Sequence, residues 1–448
     1  MIFYLNNYRG FNDAIIKTSA LNILVGENSS GKSSFLSLLS ILSDSNFLVN
    51  SQFKNQYFDL GTFNELITEN RKDTDPSIYI GIIKEGRTVS HFDSSFIFDA
   101  ILLQFNSLKG YSHFKSAILI KKNSVLKISY LDTEIQYVFY KIDFGTDNKI
   151  ELLDNFKKWA QGTGFEKLEK IRDGSIKEGV KDNYIHLFRN NLSFVAMYIS
   201  HMDQNKDVMQ DFQMTQTLGP ILTSTIWFAP IRTKPKRIYE AEISKYSADG
   251  SHTPNIIRDI YDNKDKEHFK RMIDELESFG KATGLFDKIL IKNYGKKGLS
   301  AFELNIKLYK RDLKISNVGY GVSQILPILI EIIRRDKESV FLIQQPEVHL
   351  HPRSQAQFGE LVFNESFAKQ KNFFIETHSD FIVDRIRVKL RNNKSSFSKK
   401  VNLLFFENTP KGNIVHNISI NKNGDYESNQ PQKFREFFLK EKMDLLGF

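Results

Sequence analysis

The chain has 448 residues, no cysteine and a formal charge of +9, with 62 basic and 53 acidic side chains. The lack of cysteine excludes disulfides, thiolate metal sites and a cysteine nucleophile, while 41% hydrophobic residues argue against a disordered or fibrous chain. Because no apolar run approaches the roughly 20 residues of a membrane span, and strand-like residues follow Met1 directly, the sequence predicts a cytoplasmic protein that makes no membrane contact.

Hydrophobic periodicity predicts strands and helices in alternation along the chain. In chain order, the predicted elements are a strand at 21–25, a helix from Lys32, several strands over about 78–145, charged helices over about 150–220, a strand at 225–230, a helix at 265–283, a hairpin at 288–306, a helix at 322–335, a strand at 340–343, a helix at 353–369 and a strand at 372–376. The last strand–helix–strand spacing is typical of a parallel crossover, so 20–42 and 315–380 are expected to share one sheet. The predicted fold class is therefore α/β, with a mixed or parallel sheet flanked by helices.

A loop bounded by glycines separates the first of these strands from its helix. It reads Gly26-Glu27-Asn28-Ser29-Ser30-Gly31-Lys32-Ser33 and fills every fixed position of the phosphate-binding P-loop pattern. In such a loop, backbone N–H groups surround the β-phosphate, the lysine reaches the β- and γ-phosphates, and the last hydroxyl is a ligand of Mg²⁺. The predicted ligand is ATP or GTP with Mg²⁺. The residues predicted to contact it are Gly26, Glu27, Asn28, Ser29, Ser30, Gly31, Lys32, Ser33 and Ser34.

Three later segments indicate the class of P-loop protein. They are a glycine-paired loop that opens a helix (317–324), a hydrophobic strand that ends in polar residues (340–347), and a second strand end that carries His378 (376–379). The chain lacks the Asn-Lys-x-Asp motif that reads guanine, which favours ATP over GTP.

In these motifs the chain resembles ABC-type ATPase heads of the OLD-like family, which are related to the Rad50 and SMC heads. Gly26–Ser33 is similar to the Walker A motif, Val318–Gln324 to the signature loop, Gln344–Pro352 to the extended Walker B motif, and His378 to the switch histidine. The resemblance implies an ABC-type head made from 1–75 and 225–448. The segment 76–224 is then a β and helical insertion used for assembly or partner binding.

The same resemblance implies how such heads bind ATP. Two heads associate head to tail, and the signature loop of one closes over the γ-phosphate held by the other. In this sequence the N–H groups around Gly321 and the hydroxyl of Ser323 are expected to make that contact. His378 is expected to sense the γ-phosphate within its own head. The family also implies a homo-oligomer that is at least a dimer, with a hexamer as the larger alternative.

The chain departs from the family pattern where the Walker B strand ends. Most ABC heads have Asp-Glu there, whereas this chain has Gln344 and Gln345. An amide orients a water molecule but neither accepts its proton nor neutralises a metal ion. Glu347, two residues on, is either the replacement base or a salt-bridged surface carboxylate. We expect slow hydrolysis, with Glu347, Gln345 and His378 as catalytic residues and Ser33 and Gln344 at the Mg²⁺.

Two further groups of side chains leave alternatives open. His349 and His351 either converge on a metal ion or pack within the loop after the strand. The basic clusters are either solvated surface or a contact for nucleic acid or an acidic partner. They consist of Arg232, Lys234, Lys236 and Arg237, and of Arg385, Arg387, Lys389, Arg391 and Lys394.

The function implied by the resemblance is regulatory. OLD-type nucleases carry a TOPRIM domain after the ATPase, but the roughly 70 residues after His378 hold no carboxylate cluster, so we expect no nuclease activity in this chain. It resembles instead the ATPase subunits of two-gene anti-phage systems, PtuA of Septu and AriA of PARIS. These imply a sensor or scaffold that controls a separate HNH or TOPRIM-like nuclease and responds to DNA or a phage-encoded trigger. The alternatives are an SMC/Rad50-like DNA-repair ATPase and, less favoured, a transporter ATPase.

Overall fold

The computed structural model describes twelve stretches of the chain. They are residues 1–68, 77–84, 98–132, 134–142, 149–177, 190–202, 220–222, 225–241, 245–295, 300–393, 400–427 and 430–436. The expected helical region at 150–220 lies partly outside them, at 178–189 and 203–219, as does Lys394. Among the described residues, no helix has both the length and the apolar character needed to cross a membrane.

The regular elements include seventeen strands and ten helices within the described part of the chain. The strands are β1 (Ile2–Asn6), β2 (Ala14–Lys17), β3 (Leu21–Gly26), β4 (Ile78–Ile83), β5 (Ala100–Leu108), β6 (Tyr111–Lys121), β7 (Ser124–Tyr130), β8 (Glu134–Lys141), β9 (Glu169–Lys177), β10 (Thr225–Phe228), β11 (Lys288–Asn293), β12 (Phe302–Leu308), β13 (Arg311–Lys314), β14 (Val340–Gln344), β15 (Asn372–Glu376), β16 (Val401–Thr409) and β17 (Gly412–Ile418). The helices are α1 (Lys32–Leu42), α2 (Phe47–Asn50), α3 (Phe63–Leu66), α4 (Lys149–Ala160), α5 (Leu192–Met202), α6 (Thr253–Asp262), α7 (Glu267–Thr283), α8 (Tyr320–Arg334), α9 (Pro352–Ala368) and α10 (Asp380–Asn393).

These elements form two compact units, each assembled from separate stretches of the chain. The first unit consists of Met1–Thr18, Gly26–Thr225 and Phe405–Asn417. The second consists of Ser19–Val25, Ile226–Leu404 and Ile418–Phe448. The division of the chain into 1–75, 76–224 and 225–448 stays a prediction.

The first unit is built on an eight-stranded sheet in the order β2-β1-β4-β5-β6-β7-β8-β9, in which all neighbours are antiparallel. Helix α4 packs on one face, where Phe156 and Trp159 join a buried cluster with Tyr4 and Leu102. Burying an aromatic or large aliphatic side chain contributes about 1.5–3 kcal/mol. This cluster therefore holds α4 on the sheet although the helix carries several charges.

One prediction in this unit is wrong. The charged run at 166–170 was expected to be helical, but only a short 3₁₀ turn (Phe165–Lys167) precedes β9, which pairs antiparallel with β8. The order of the sheet places β9 at its edge. An edge strand tolerates charged side chains, which also protect it from pairing with other chains. Charge density was therefore a misleading signal for a helix here.

The second unit contains the parallel strands that the sequence predicts. Its strands follow the order β10-β14-β15-β3-β16, with β16 belonging to this unit as far as Leu404. β14 pairs parallel with β15, and β15 pairs parallel with β3, so the expected common sheet is confirmed. The carboxyl ends of β14 and β15 are in register, with Gln344 opposite Glu376. Neighbouring parallel strands thus present their polar ends at one edge, where α/β proteins bind ligands.

The remaining elements of the second unit agree with the sequence to within a few residues. The expected hairpin is the antiparallel pair β11 and β12, and the three later helices are α7, α8 and α9. Buried residues occupy every position of α8 from Gly321 to Ile333, as expected for a central helix. The predicted α/β class, with parallel strands in a sheet accompanied by helices, is confirmed.

Candidate functional site

The P-loop closes around its own lysine. Strand β3 leads into the loop, and Gly31 precedes Lys32, the first residue of α1. Lys32 is only 4% exposed, and its ammonium donates hydrogen bonds to the carbonyl oxygens of Gly26 (2.9 Å) and Glu27 (2.6 Å). The Ser30 hydroxyl donates to the same Glu27 carbonyl at 2.7 Å. The positive charge is therefore held at the N-terminus of α1, where anions are favoured.

The outer part of the same loop is open to solvent. Glu27, Asn28, Ser29 and Ser33 are exposed. Gly26 has a φ of 137°, and a Cβ there would overlap the backbone oxygen of Phe406 in the same unit. Only glycine fits such a position. A tightly folded loop with an exposed outer face and a buried lysine has the features required for phosphate binding.

The end of the Walker B-like strand contains a buried amide–carboxylate pair. The side-chain amide of Gln344 donates to Glu376 Oε2 at 2.9 Å, and these residues are 9% and 5% exposed. The backbone N–H of Gln345 donates to the Glu376 carbonyl oxygen at 2.8 Å. Gln345 has a φ of 44°, so the chain turns sharply away from the strand direction directly after Gln344.

This turn brings Glu347 back against the end of β15. Glu347 Oε2 accepts a hydrogen bond from the Thr377 hydroxyl (2.8 Å), and Oε1 accepts one from the backbone N–H of His378 (2.8 Å). Glu347 is half-buried and His378 is exposed. Of the residues predicted to be catalytic, Glu347 and His378 are therefore in direct contact. Gln345 lies at the turn between the Walker B-like strand and Glu347.

A buried arginine joins the strand end to the helix of the signature-like loop. Arg232 is 3% exposed, and its Nη2 donates to the Gln344 carbonyl oxygen at 3.2 Å. Gln324 on α8 donates its side-chain amide to the Arg232 carbonyl oxygen at 3.3 Å. Burial lowers the pKa of Arg232 to about 10, which the nearby charge of Glu347 partly opposes. Its Nε and Nη1 have no hydrogen-bond partner among the described residues.

The signature-like loop starts α8 against the segment that follows β14. A Cβ on Gly321 would lie 2.7 Å from the His349 carbonyl oxygen, so only glycine allows this approach. The Tyr320 ring packs on the His349 ring with centroids 5.6 Å apart. Ser323 is 8% exposed, and its hydroxyl donates to the Tyr320 carbonyl oxygen at 2.8 Å. The predicted trans contacts of Gly321 and Ser323 stay predictions.

The two histidines after the strand act in packing and capping. His349 contacts Tyr320, and His351 caps α9 by accepting the Arg353 backbone N–H on Nδ1 at 3.3 Å. In the described stretches, no group of three His, Asp or Glu side chains is arranged to hold a metal ion. These contacts agree with the packing alternative.

The basic cluster on α10 is largely neutralised within the chain. Arg385 and Lys389 both form ion pairs with Glu360, each at 3.1 Å. Arg387 pairs with Asp384 at 2.9 Å and lies over the Tyr426 ring. This arrangement agrees with the surface interpretation of the cluster.

Sequence reasoning missed the roles of four residues of this site. It gave a role to His378 but not to its neighbours Glu376 and Thr377, and it treated Arg232 as one of several surface charges and left Gln324 without a role. A usable signal existed for Glu376, because parallel neighbouring strands bring their carboxyl ends together. No local pattern shows that Arg232 is buried. The residues Gly26–Ser34 and Gln344 keep their predicted roles as predictions.

Comparison with known proteins places the chain among ATPases. The model of the AAA ATPase domain family matches residues 1–383. Similar solved structures include the SMC head domain from Thermotoga maritima, with 11% identity, a TM-score of 0.37, and coverage of 94% of this chain and 98% of that one. An SMC head bound to the C-terminal winged-helix domain of ScpA has 13% identity, a TM-score of 0.39 and coverage of 94% and 98%. The SMC head from Pyrococcus furiosus, bound to the C-terminal domain of ScpA, has 12% identity, a TM-score of 0.35 and coverage of 100% and 98%. No curated protein matches the sequence.

Proposed function

The chain belongs to the AAA ATPase domain family, and we propose that it is an ABC-type ATPase that binds ATP tightly and hydrolyses it slowly. The observation that carries the proposal is the end of β14. Gln344 and Gln345 occupy the positions where a carboxylate pair is usual, and Glu347 is the nearest carboxylate on the same segment, held by Thr377 and His378. The strand end is thus ordered for binding but lacks the charges that accelerate hydrolysis.

The P-loop residues fit a nucleotide triphosphate. On binding, the Lys32 ammonium would exchange the carbonyl oxygens of Gly26 and Glu27 for phosphate oxygens, without leaving the N-terminus of α1. Ser33 and Gln344 are the residues we expect to hold Mg²⁺, with a hydroxyl and an amide oxygen as donors. Bound Mg²⁺ would neutralise phosphate charge. Oxygen donors suit this ion, but neither residue adds a negative charge of its own.

Glu347 is the residue that would take the proton of the attacking water. Both of its oxygens already accept a hydrogen bond, which fixes the carboxylate plane but leaves lone pairs for a further donor. Removing a general base typically lowers the rate by about 10²–10⁴-fold. Gln345 stands at the usual position of the base and cannot accept a proton, so hydrolysis depends on Glu347, two residues further along. We therefore expect a turnover number below about 1 s⁻¹, under the typical enzyme range.

ATP then serves mainly as a latch between heads, which bind each other head to tail through Gly321 and Ser323. The resemblance of the motifs to OLD-like heads supports a role as sensor and scaffold of a two-gene anti-phage system. In that role the chain oligomerises and controls a separate HNH or TOPRIM-like nuclease. The trigger would be DNA or a phage-encoded protein.

The hydrolysis part of this proposal is tested by steady-state ATPase measurements. Lys32→Ala should weaken ATP binding by about 10–150-fold, since hydrogen bonds to charged groups contribute about 1.5–3 kcal/mol. Glu347→Gln should leave ATP affinity unchanged and abolish the residual turnover. The matched control is Glu427→Gln, an exposed glutamate on a different segment. Wild-type turnover well above about 1 s⁻¹, or full activity in Glu347→Gln, would contradict the proposal.

The assembly part is tested by mass measurement of the purified protein with and without ATP. Wild type should form a larger species with ATP, and Lys32→Ala should not. Co-purification with the product of a neighbouring nuclease gene, followed by phage challenge of cells that carry both genes, tests the defence role. If the nuclease does not co-purify in either nucleotide state, the proposed control of an effector is contradicted, while the ATPase proposal is unaffected.

An SMC/Rad50-like DNA-binding ATPase is the second candidate. The net charge of +9 favours it, because phosphate polymers attract basic proteins. ATP-dependent binding of double-stranded DNA, with a steep dependence on salt and no nuclease partner, would select this alternative.

A further inference from the structure

The second unit contains a cavity next to the signature-like loop. Its volume is about 370 Å³, at the small end of the range of about 300–1,000 Å³ for small-molecule sites. Three stretches supply most of its wall: the segment after β10, the start of α6, and the first half of α8. Of the residues predicted to contact ATP, only Ser323, in the signature-like loop, is part of the cavity wall.

The polar part of the wall is basic and rich in hydroxyl groups. Lys234 and Lys236 line the cavity, both are exposed, and neither forms an ion pair with a described residue. Glu240 is the acidic residue of the lining. Thr253, at the first position of α6, is 3% exposed, and its hydroxyl has no hydrogen-bond partner in the described structure. That hydroxyl oxygen is enclosed by protein atoms, so a ligand in the cavity would meet the lysines rather than this group.

The opposite part of the wall is apolar. Ile257 of α6, Leu304 of β12, and Leu326 and Pro327 of α8 line it. Packing is close at Pro327, because a Cβ on Gly250, just before α6, would overlap its ring. A molecule that fills the cavity must present a charged end to the lysines and an apolar body to α8.

We propose that this cavity binds a small phosphate monoester with a flat apolar body, of the size of a nucleoside monophosphate. A phosphate group carries a charge of about −1.5 to −2 and three acceptor oxygens. It therefore matches two ammonium groups better than a carboxylate, which has one charge and two oxygens. The first turn of α6, which borders the cavity, adds its positive end.

The cavity borders the helix that begins with the signature-like loop. Ser323, Leu326 and Pro327 lie on one side of α8, and the first turn of α8 carries the residues predicted to close over ATP. A ligand against this face would contact the helix that begins with that loop, and any effect on head association rests on the proposed latch between heads. The inference concerns binding at the cavity and stands whether or not the proposed role in defence is correct.

The test uses full-length protein that carries Lys32→Ala, so that P-loop binding contributes much less. Equilibrium dialysis with AMP, GMP, CMP and UMP should show saturable binding of at least one of them, with a Kd below about 1 mM. Lys234→Glu combined with Lys236→Glu should weaken this binding by at least about tenfold. Lys264→Glu combined with Lys270→Glu, two exposed lysines outside the cavity, is the charge-matched control and should bind like the parent.

A second readout uses the absence of native cysteine. Ser251→Cys places a single thiol in the cavity wall, and the bound monophosphate should slow its alkylation. Lys264→Cys is the control, with a rate that the ligand leaves unchanged. The proposal is overturned if none of the four monophosphates binds saturably up to about 5 mM, or if the double lysine variant retains the affinity. Equal affinity for inorganic phosphate would overturn the apolar part of the assignment.

Discussion

The charged network at the end of α8 provides a quantitative test of how this helix is held. Glu331 is fully buried and accepts hydrogen bonds from His252 Nε2 (3.0 Å), Arg334 Nε (2.7 Å) and Arg335 Nε (2.7 Å). The Ser247 backbone N–H donates to His252 Nδ1, so the ring proton lies on Nε2 and points at Glu331. Glu331→Gln keeps the shape of the side chain and removes its charge.

The size of the effect follows from the pKa of Glu331. Burial alone would raise this pKa, but the hydrogen bonds from His252, Arg334 and Arg335 outweigh burial and lower it from 4.5 to about 2. A carboxylate whose pKa is lower in the folded state stabilises the fold at pH values above its unfolded-state pKa. That contribution is lost as the pH falls toward its folded-state pKa. A shift of about 2.5 units corresponds to about 3 kcal/mol at pH 7 and to roughly half of that at pH 3.

The assay is thermal unfolding of wild type and Glu331→Gln between pH 7 and pH 3. At pH 7 we expect the Tm of the variant to lie about 6–12 °C lower, since 1 kcal/mol corresponds to about 2–4 °C in a unit of some 200 residues. The difference should shrink as the pH falls below 4.5, the pKa that Glu331 has without its partners. Glu427→Gln, an exposed control, should have the wild-type Tm at both pH 7 and pH 3. A difference that stays constant from pH 7 to pH 3 would refute the argument, because it would show that packing and not charge is responsible.

Two further predictions concern the arginines. Arg232→Met should change the free energy of unfolding by less than about 1 kcal/mol, because a buried cation with unsatisfied N–H groups gives way to an apolar side chain of similar length. ATP turnover should nevertheless fall at least about tenfold, since the strand end loses the cation that is hydrogen-bonded to the Gln344 carbonyl oxygen. A large loss of stability with normal turnover would contradict this. Arg385→Ala combined with Lys389→Ala should leave any DNA affinity measured by gel shift nearly unchanged, because both cations are already ion-paired to Glu360 and the three side chains together keep a single net positive charge. A marked loss would instead favour the DNA-binding alternative.

The sequence predicts the binding elements of this fold well because they are local. The P-loop is a continuous run of eight residues between a strand and a helix, and its glycines and lysine have fixed spacing. The parallel order of β14, β15 and β3 also follows from local signals, since each strand is a short apolar run next to a helix. Glu347 was expected to replace the missing base only if the strand end turns, and the φ of 44° at Gln345 supplies that turn.

The parts that sequence reasoning missed depend on tertiary position. The residues 169–177 look helical by charge, and only their place at the edge of the antiparallel sheet makes them a strand. Arg232 looks like one of four basic residues in a surface segment, yet it is buried where Gln344 and Gln324 contact it. Neither the edge strand β9 nor the burial of Arg232 follows from a periodic sequence pattern. The contacts of Arg232 come from residues 112 and 92 positions away along the chain.

The position of Glu376 changes how the two glutamines at the end of β14 are understood. A neutral residue at position 344 suggests that this edge of the sheet has lost its negative charge. The register of the parallel strands places Glu376 directly opposite, and the Gln344 amide donates to it. The Gln344 amide donates through its nitrogen to the buried carboxylate, which leaves its oxygen as an acceptor. The hydrogen bond to the carboxylate polarises the amide and strengthens that acceptor, although Gln344 carries no charge. In the proposed mechanism this edge keeps an acceptor for a hydrated cation at Gln344, while the group expected to take a proton lies further along the chain, at Glu347. Such a separation is what the proposed latch between heads requires, because it would retain nucleotide binding and slow hydrolysis.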